Sequence, residues 1–158
     1  MGPNCFGGLR YSSYLCIMKL RTKTIELTPL EHKFIVRETV NWCREFLGEN
    51  NRRKSKFKVF VGPQPKRTKK SVGPCYGYFE CLKNKLSVFP EHNKNVRELI
   101  QTTIHEYTHY TQPIRSKYYT YDKQYGYQSN PFEVVARKNE ALYKLCWKQL
   151  KKNLNTNI

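Results

Sequence analysis

The chain has 158 residues and no apolar run long enough to span a bilayer, so no membrane partner is expected. The start, Met1-Gly2-Pro3-Asn4-Cys5-Phe6, lacks the basic-then-apolar order of a secretion signal. Phe6 also stands where a myristoylation signal needs Ser or Thr. The expected location is therefore cytoplasmic. The six cysteines (Cys5, Cys16, Cys43, Cys75, Cys81 and Cys146) are irregularly spaced and include no C-x-x-C pair. That argues against a cysteine-built zinc site and a disulfide framework. Cys43 and Cys146 fall on apolar helix faces and read as small core residues. Cys75 and Cys81 fall where they could face each other across a strand pair, and are expected to stay reduced. Acids are scarce, 12 against 29 Lys and Arg, for a net charge of +17. No helix-turn-helix signature, zinc-finger spacing or RRM aromatic pattern accompanies that charge. Internal repeats are absent. Only four histidines occur, His32, His92, His105 and His109.

Two of those four lie in the most informative segment, Thr102-Thr103-Ile104-His105-Glu106-Tyr107-Thr108-His109-Tyr110. Residues four apart stack on one helix face, so His105 and His109 can offer two imidazoles to one metal ion. Glu106 projects beside that site, where a carboxylate can take a proton from water activated by the metal. The surroundings favour a helix over 96–111. Asn95 is an N-cap with Glu98 three residues on, a capping box. Val96, Ile100, Thr103, Ile104 and Tyr107 make an apolar stripe that buries against a core. Glu98, Thr102, His105 and His109 share a neighbouring face, and Pro113 ends the element.

A hydrolytic zinc site takes three protein ligands and leaves one position for water. No histidine follows His109, which rules out a downstream histidine ligand of the metzincin or SprT-like kind. The first candidate is Glu133, in Asn130-Pro131-Phe132-Glu133-Val134-Val135-Ala136-Arg137. Asn130 caps and Pro131 takes the first position of a helix expected to run to about Lys152. Glu133 at N3 could instead be a capping-box partner of Asn130. Glu140, two turns further along, is the alternative ligand.

The His-Glu-x-x-His helix followed by the Glu-x-x-Ala segment, over roughly residues 74–145, resembles small zincin-type metallopeptidases of phages and mobile elements. These look like distant relatives of the gluzincins. The resemblance implies Zn²⁺ held by His105, His109 and Glu133, Glu106 as general base, and a protein or peptide substrate. It also implies action inside a host cell or in a virion. A departure is the Tyr-rich insert Tyr118-Tyr119-Thr120-Tyr121-Asp122-Lys123-Gln124-Tyr125-Gly126-Tyr127. A phenol near zinc can hydrogen-bond a developing oxyanion. Tyr125 and Tyr127, nearest in sequence to Glu133, are the candidates. The other tyrosines read as packing or rim residues.

Elsewhere, Thr28-Pro29-Leu30-Glu31 is a second capping box, opening a helix that carries Leu30, Phe34, Val36, Val40, Cys43 and Leu47 before Gly48. Lys56–Val61 alternates like a half-buried strand, Gly62–Pro74 is rich in breakers, and Tyr76–Cys81 with Lys85–Phe89 reads as a hairpin. Either hairpin strand could hold extended peptide by backbone pairing. The expected fold class is α+β, a minimal zincin-like domain. Its small, mostly antiparallel sheet packs against an N-terminal helix, the metal-site helix and a C-terminal helix. Residues 1–17 read as an extension, 18–152 as a single domain and 153–158 as a tail. Residues 52–70 hold nine Lys or Arg and no acid. The loop Lys66-Arg67-Thr68-Lys69-Lys70 is the expected contact for nucleic acid or an acidic protein, with Lys66, Arg67, Lys69 and Lys70 as its charges. A solvated basic loop with no partner is equally compatible. The second functional expectation is a non-enzymatic nucleic-acid-binding or virion protein that keeps the peptidase fold.

Overall fold

Thr28 opens helix α1 (Pro29–Leu47) with both halves of the capping box in place. Its hydroxyl accepts the Glu31 N–H, and the Glu31 carboxylate accepts the Thr28 N–H. Gly48, at φ 82°, ends the helix in a conformation that disfavours a side chain. The buried stripe is Ile35, Val36, Thr39, Val40, Trp42 and Cys43, while Leu30 at the first turn is 62% exposed. The structure, a computed structural model, describes residues 18–113 and 115–156, so the expected 1–17 extension lies outside the described residues.

The strands are β1 (Lys58–Val61), β2 (Gly77–Glu80) and β3 (Lys85–Val88), in the order β1-β3-β2. β2 and β3 form the expected antiparallel hairpin, turned through Asn84 at φ 48°. β1 pairs with β3 in parallel, which makes the sheet mixed and corrects the mostly antiparallel expectation. The cause is the connection over 62–76, which carries the chain to the far edge before the hairpin returns β3 to the centre. Leu86, Ser87 and Val88 are accordingly buried, whereas every residue of β2 stays partly exposed at the edge.

Helix α3 (Val96–Thr111) is the hub, packed against α1, β2, β3 and the two C-terminal helices. Asn95 accepts the Glu98 N–H at 3.0 Å, but Glu98 reaches the Lys94 N–H, one residue before the expected capping-box partner. Leu99, Ile100, Ile104 and Tyr107 of α3 are fully buried in the core, with Val36 and Cys43 of α1 and Leu86 and Val88 of β3. Burying these side chains is what fixes α3 in place, at roughly 1.5–3 kcal/mol each.

Three segments differ from the expected layout. The basic stretch is helix α2 (Lys66–Val72), entered from Pro65 and closed by Gly73 at φ 77°, with no buried residue. Its Lys and Arg are good helix formers, which the flanking Pro and Gly concealed. The Tyr-rich insert is also mostly helical, α4 (Arg115–Tyr125). The long C-terminal helix is broken into α5 (Pro131–Glu140) and α6 (Tyr143–Thr156), through a tight turn in which Leu142 N–H reaches Asn139 O. Buried Glu133, Ala136, Tyr143, Cys146, Leu150 and Leu154 keep helical spacing across that turn, so periodicity could not reveal it. The helix also extends past residue 152, with Leu154 in the core. Among the described residues there are six α-helices and one three-stranded sheet, an α+β architecture. No helix among them is long and apolar enough to cross a membrane.

Candidate metal centre

The helical period places His105 and His109 on the face of α3 that turns away from the core, with their side chains 13% exposed. Helix α5 crosses this face. Asn130 accepts the Phe132 N–H at its start, and its own N–H goes to Tyr127 O, so the Glu133 carboxylate takes no part in capping. Glu133 is 3% exposed and aims at the two imidazoles. His105 Nε2 lies 3.1 Å from His109 Nε2, and each lies 3.2 Å from a Glu133 oxygen. Three ligands at tetrahedral angles and about 2.0–2.1 Å from zinc stand roughly 3.3 Å apart, close to these separations, with Glu133 presenting Oε2 to His105 and Oε1 to His109. Glu133 Oε2 is buried and accepts no well-aligned hydrogen bond. A carboxylate oxygen that deep ordinarily has a donor, and a cation at the centre of the three groups would satisfy it. The residues fit a divalent metal ion with two nitrogen ligands and one oxygen ligand.

What stands behind each ligand strengthens that fit. Gln112 donates its amide N–H to Phe132 O at 2.9 Å, which turns its Oε1 toward His109 Nδ1 at 2.8 Å. Glu140 Oε1 faces His105 Nδ1 at 2.7 Å. Both acceptors require a proton on Nδ1, so each imidazole is held with Nε2 toward the centre. Tyr118 donates its hydroxyl to Glu133 Oε1 at 2.7 Å and packs edge-on against His109. Glu140 thus orients His105, and Glu133 is the carboxylate that joins the two Nε2 atoms in a group able to hold a metal ion.

Charge follows the same geometry. Burial disfavours a charged His105, but Glu133 and then Glu140 outweigh it and carry its pKa up to about 10. His109 is raised in the same way, against burial, by Glu133 and Glu106. Burial likewise opposes ionisation of Glu133, yet His105, His109 and Tyr118 hold it well below the usual carboxylate range. Without a metal ion, protons occupy the positions that a cation would take.

Glu106 is buried on the adjoining face of α3. Burial raises its pKa, while the two histidines and the Phe79 backbone N–H pull against that rise. Gly77 explains how β2 comes so close to α3. A Cβ there would lie 2.6 Å from Ser87 O and 3.0 Å from the Thr102 methyl carbon. Two cavities, of about 570 Å³ and 470 Å³, meet at Gly77, His105, Glu106 and Tyr127. Together they form one cleft passing over the candidate metal site, with the edge strand β2 as a wall.

The structure brings His105, His109, Glu133 and Glu106 to this cleft. Tyr127 lines both halves of it, and burial with the nearby Glu133 carboxylate pushes its phenol up to about 12. Tyr125 is 49% exposed, packs on Tyr121 and does not line the cleft. Tyr118 lies on the same helix and contacts Glu133 in its place. Lys66, Arg67, Lys69 and Lys70 lie outside the cleft, on α2, whose last residue Val72 borders it. Cys75 neighbours Gln64 and Cys81 neighbours Arg53; both are free thiols, as are Cys43 and Cys146. Sequence reasoning missed Tyr118, Gln112 and Arg53. Of these, only Gln112 carries a local signal, its position three residues after His109. Compared with family models, curated proteins and solved structures, the chain matches none.

Proposed function

We propose that this chain is a zinc-dependent metallopeptidase, with His105, His109 and Glu133 as ligands and Glu106 as general base. The observation that carries this reading is the convergence of two Nε2 atoms and a buried carboxylate at 3.1–3.2 Å, each imidazole locked from behind. Zinc at such a site supplies a Lewis acid that polarises a carbonyl and makes water acidic near neutral pH. Glu106, raised by burial, takes a proton from the attacking water and passes it to the leaving amine. Tyr127 keeps its proton at neutral pH and can donate a hydrogen bond to the carbonyl oxygen as negative charge builds there. β2 is an edge strand against the cleft, so an extended peptide can pair along it, with its scissile bond beside Glu106. Choice of the metal rests on the donor set, since two imidazoles and one carboxylate are a common set of catalytic zinc ligands.

The test is Glu106→Gln. It should retain one zinc per chain and lose peptide hydrolysis by a factor of about 10² to 10⁴. Undiminished hydrolysis in that variant would refute the general-base role. Absence of zinc from the parent protein after metal supplementation would refute the whole reading.

A further inference from the structure

The edge strand carries a second feature on the same side as Glu106. Tyr76 O accepts the Phe89 N–H at 2.9 Å, so even-numbered peptide groups of β2 turn toward β3. The odd-numbered ones then face the cleft, as the Phe79 N–H to Glu106 shows, and just past the end of the strand the Cys81 carbonyl accepts both the Asn84 N–H and Arg53. Arg53 therefore stands two residues along the strand from Glu106, a distance of roughly 7 Å.

Arg53 is a half-buried cation with no anion. Its Nε donates to Tyr110 O at 3.2 Å, Nη1 to Cys81 Sγ at 3.1 Å and to Cys81 O at 3.4 Å, and Nη2 to Gln112 O at 3.4 Å. Its guanidinium lies 4.7 Å over the Phe79 ring. All of these partners are uncharged. Among the described residues it makes no ion pair, while the neighbouring acid Glu80 is already matched to Lys83 at 2.8 Å. Of the five guanidinium N–H groups, one on Nη2 remains for another acceptor. Capping the last carbonyls of α3 explains why Arg53 is anchored. It does not explain why a charged fork borders a cleft of about 570 Å³ without a counter-ion. Beyond it, the basic helix α2 reaches the same cleft through Val72, and Thr68 contacts Tyr78 of β2. Lys66, Arg67 and Lys70 on that helix make no ion pair among the described residues. Positive charge therefore lies at the Arg53 and α2 end of the cleft, away from Glu106 and Glu133, and the fixed Arg53 gives it a position.

We propose that the cleft selects acidic polypeptide segments, with Arg53 receiving a substrate carboxylate about two residues from the cleaved bond. This rests on the metallopeptidase reading of the site. A peptide pairing antiparallel to β2 runs from Cys81 toward Gly77, which places the acidic residue on the N-terminal side of that bond. Antiparallel pairing is the more favourable of the two strand directions.

The experiment uses the full chain loaded with zinc. A proteome-derived peptide library is digested by the parent protein, and the residues flanking each cut are read by mass spectrometry. Enrichment of Glu or Asp two positions N-terminal to the cut, reduced about tenfold in Arg53→Gln and largely kept in Arg53→Lys, supports the proposal. No acidic enrichment, or enrichment only on the C-terminal side, overturns it. In parallel, zinc-loaded Glu106→Gln is titrated by fluorescence anisotropy with a Glu-rich decapeptide, its Gln counterpart and a single-stranded DNA of equal charge. Tighter binding of the Glu peptide by about tenfold, lost in the Glu106→Gln, Arg53→Gln double variant, supports the acidic subsite even where the parent cuts nothing. In that case the peptidase reading alone fails. Equal binding of the Glu and Gln peptides, or DNA binding tighter than the Glu peptide and indifferent to Arg53, overturns the proposal and assigns the basic rim to nucleic acid. Melting curves and zinc content of each Arg53 variant separate loss of the subsite from loss of the fold.

Discussion

Removing the Glu140 side chain separates a metal ligand from a group that orients one. Glu140 Oε1 accepts from His105 Nδ1 at 2.7 Å, with the carboxylate about one-third exposed at 33%. Losing a hydrogen bond of this kind behind a ligating histidine costs about 10- to 100-fold in metal affinity. At 1.4 kcal/mol per factor of ten, that is about 1.4–2.8 kcal/mol. Partial exposure of the carboxylate, which lets water replace it, argues for the lower end. Glu140→Ala should therefore still bind one zinc per chain, with an affinity about tenfold weaker than the parent in competition with a chromophoric chelator at fixed pH. Glu133→Ala removes the proposed oxygen ligand together with the anion that holds both imidazoles charged, and should leave no stoichiometric zinc under the same conditions. The reverse pattern, zinc lost with Glu140→Ala and kept with Glu133→Ala, would show that the third ligand is assigned to the wrong residue.

Tyr118→Phe removes the hydroxyl on Glu133 Oε1 and should weaken zinc about tenfold with little change in melting temperature; an unchanged affinity would leave Tyr118 a packing residue. Zinc affinity should rise by about tenfold per pH unit for each proton displaced between pH 6 and 9, because His105 holds its proton up to about 10 in the metal-free site. A flat profile would contradict the raised histidine. In the metal-free protein the raised His105 stabilises fully below its unfolded value near 6.5, and that contribution fades as pH climbs through the folded value near 10. The lowered Glu133 contributes above its unfolded value near 4.5 and is lost on acidification, so thermal stability should peak between these limits and flatten in Glu133→Gln. Gly77→Ala forces a Cβ to within 2.6 Å of Ser87 O and should lower unfolding free energy by about 1–3 kcal/mol in denaturant titrations. A neutral result there would mean that β2 can move away from α3 without cost.

Local chemistry in the chain determined a good deal. The period of an α-helix alone puts His105 and His109 on one face with Glu106 beside them. Side-chain caps at Thr28, Asn95 and Asn130 set three helix starts that the structure reproduces. Hydrophobic spacing placed Val96, Ile100, Ile104 and Tyr107 in the core, where they are fully buried. Each of these depends on residues within about one helical turn of one another.

Only the tertiary structure decided between Glu133 and Glu140. Seven residues are nearly two whole turns, so both carboxylates share one face of α5, and helical position alone does not separate the first candidate from the alternative. The crossing of α5 over α3 sets Glu133 against both Nε2 atoms and Glu140 behind His105. The same holds for Tyr118, brought to Glu133 by a helix that low hydrophobicity had concealed, and for Tyr125, turned away on that helix. It holds also for the parallel pairing of β1 with β3, which depends on where a fifteen-residue connection, 62–76, crosses the sheet. Arg53 lies 57 residues from Tyr110 and 28 from Cys81 along the chain, and no periodicity links positions so distant. Contacts of that range follow from packing a whole core, which selects among arrangements that the local sequence leaves equal in energy.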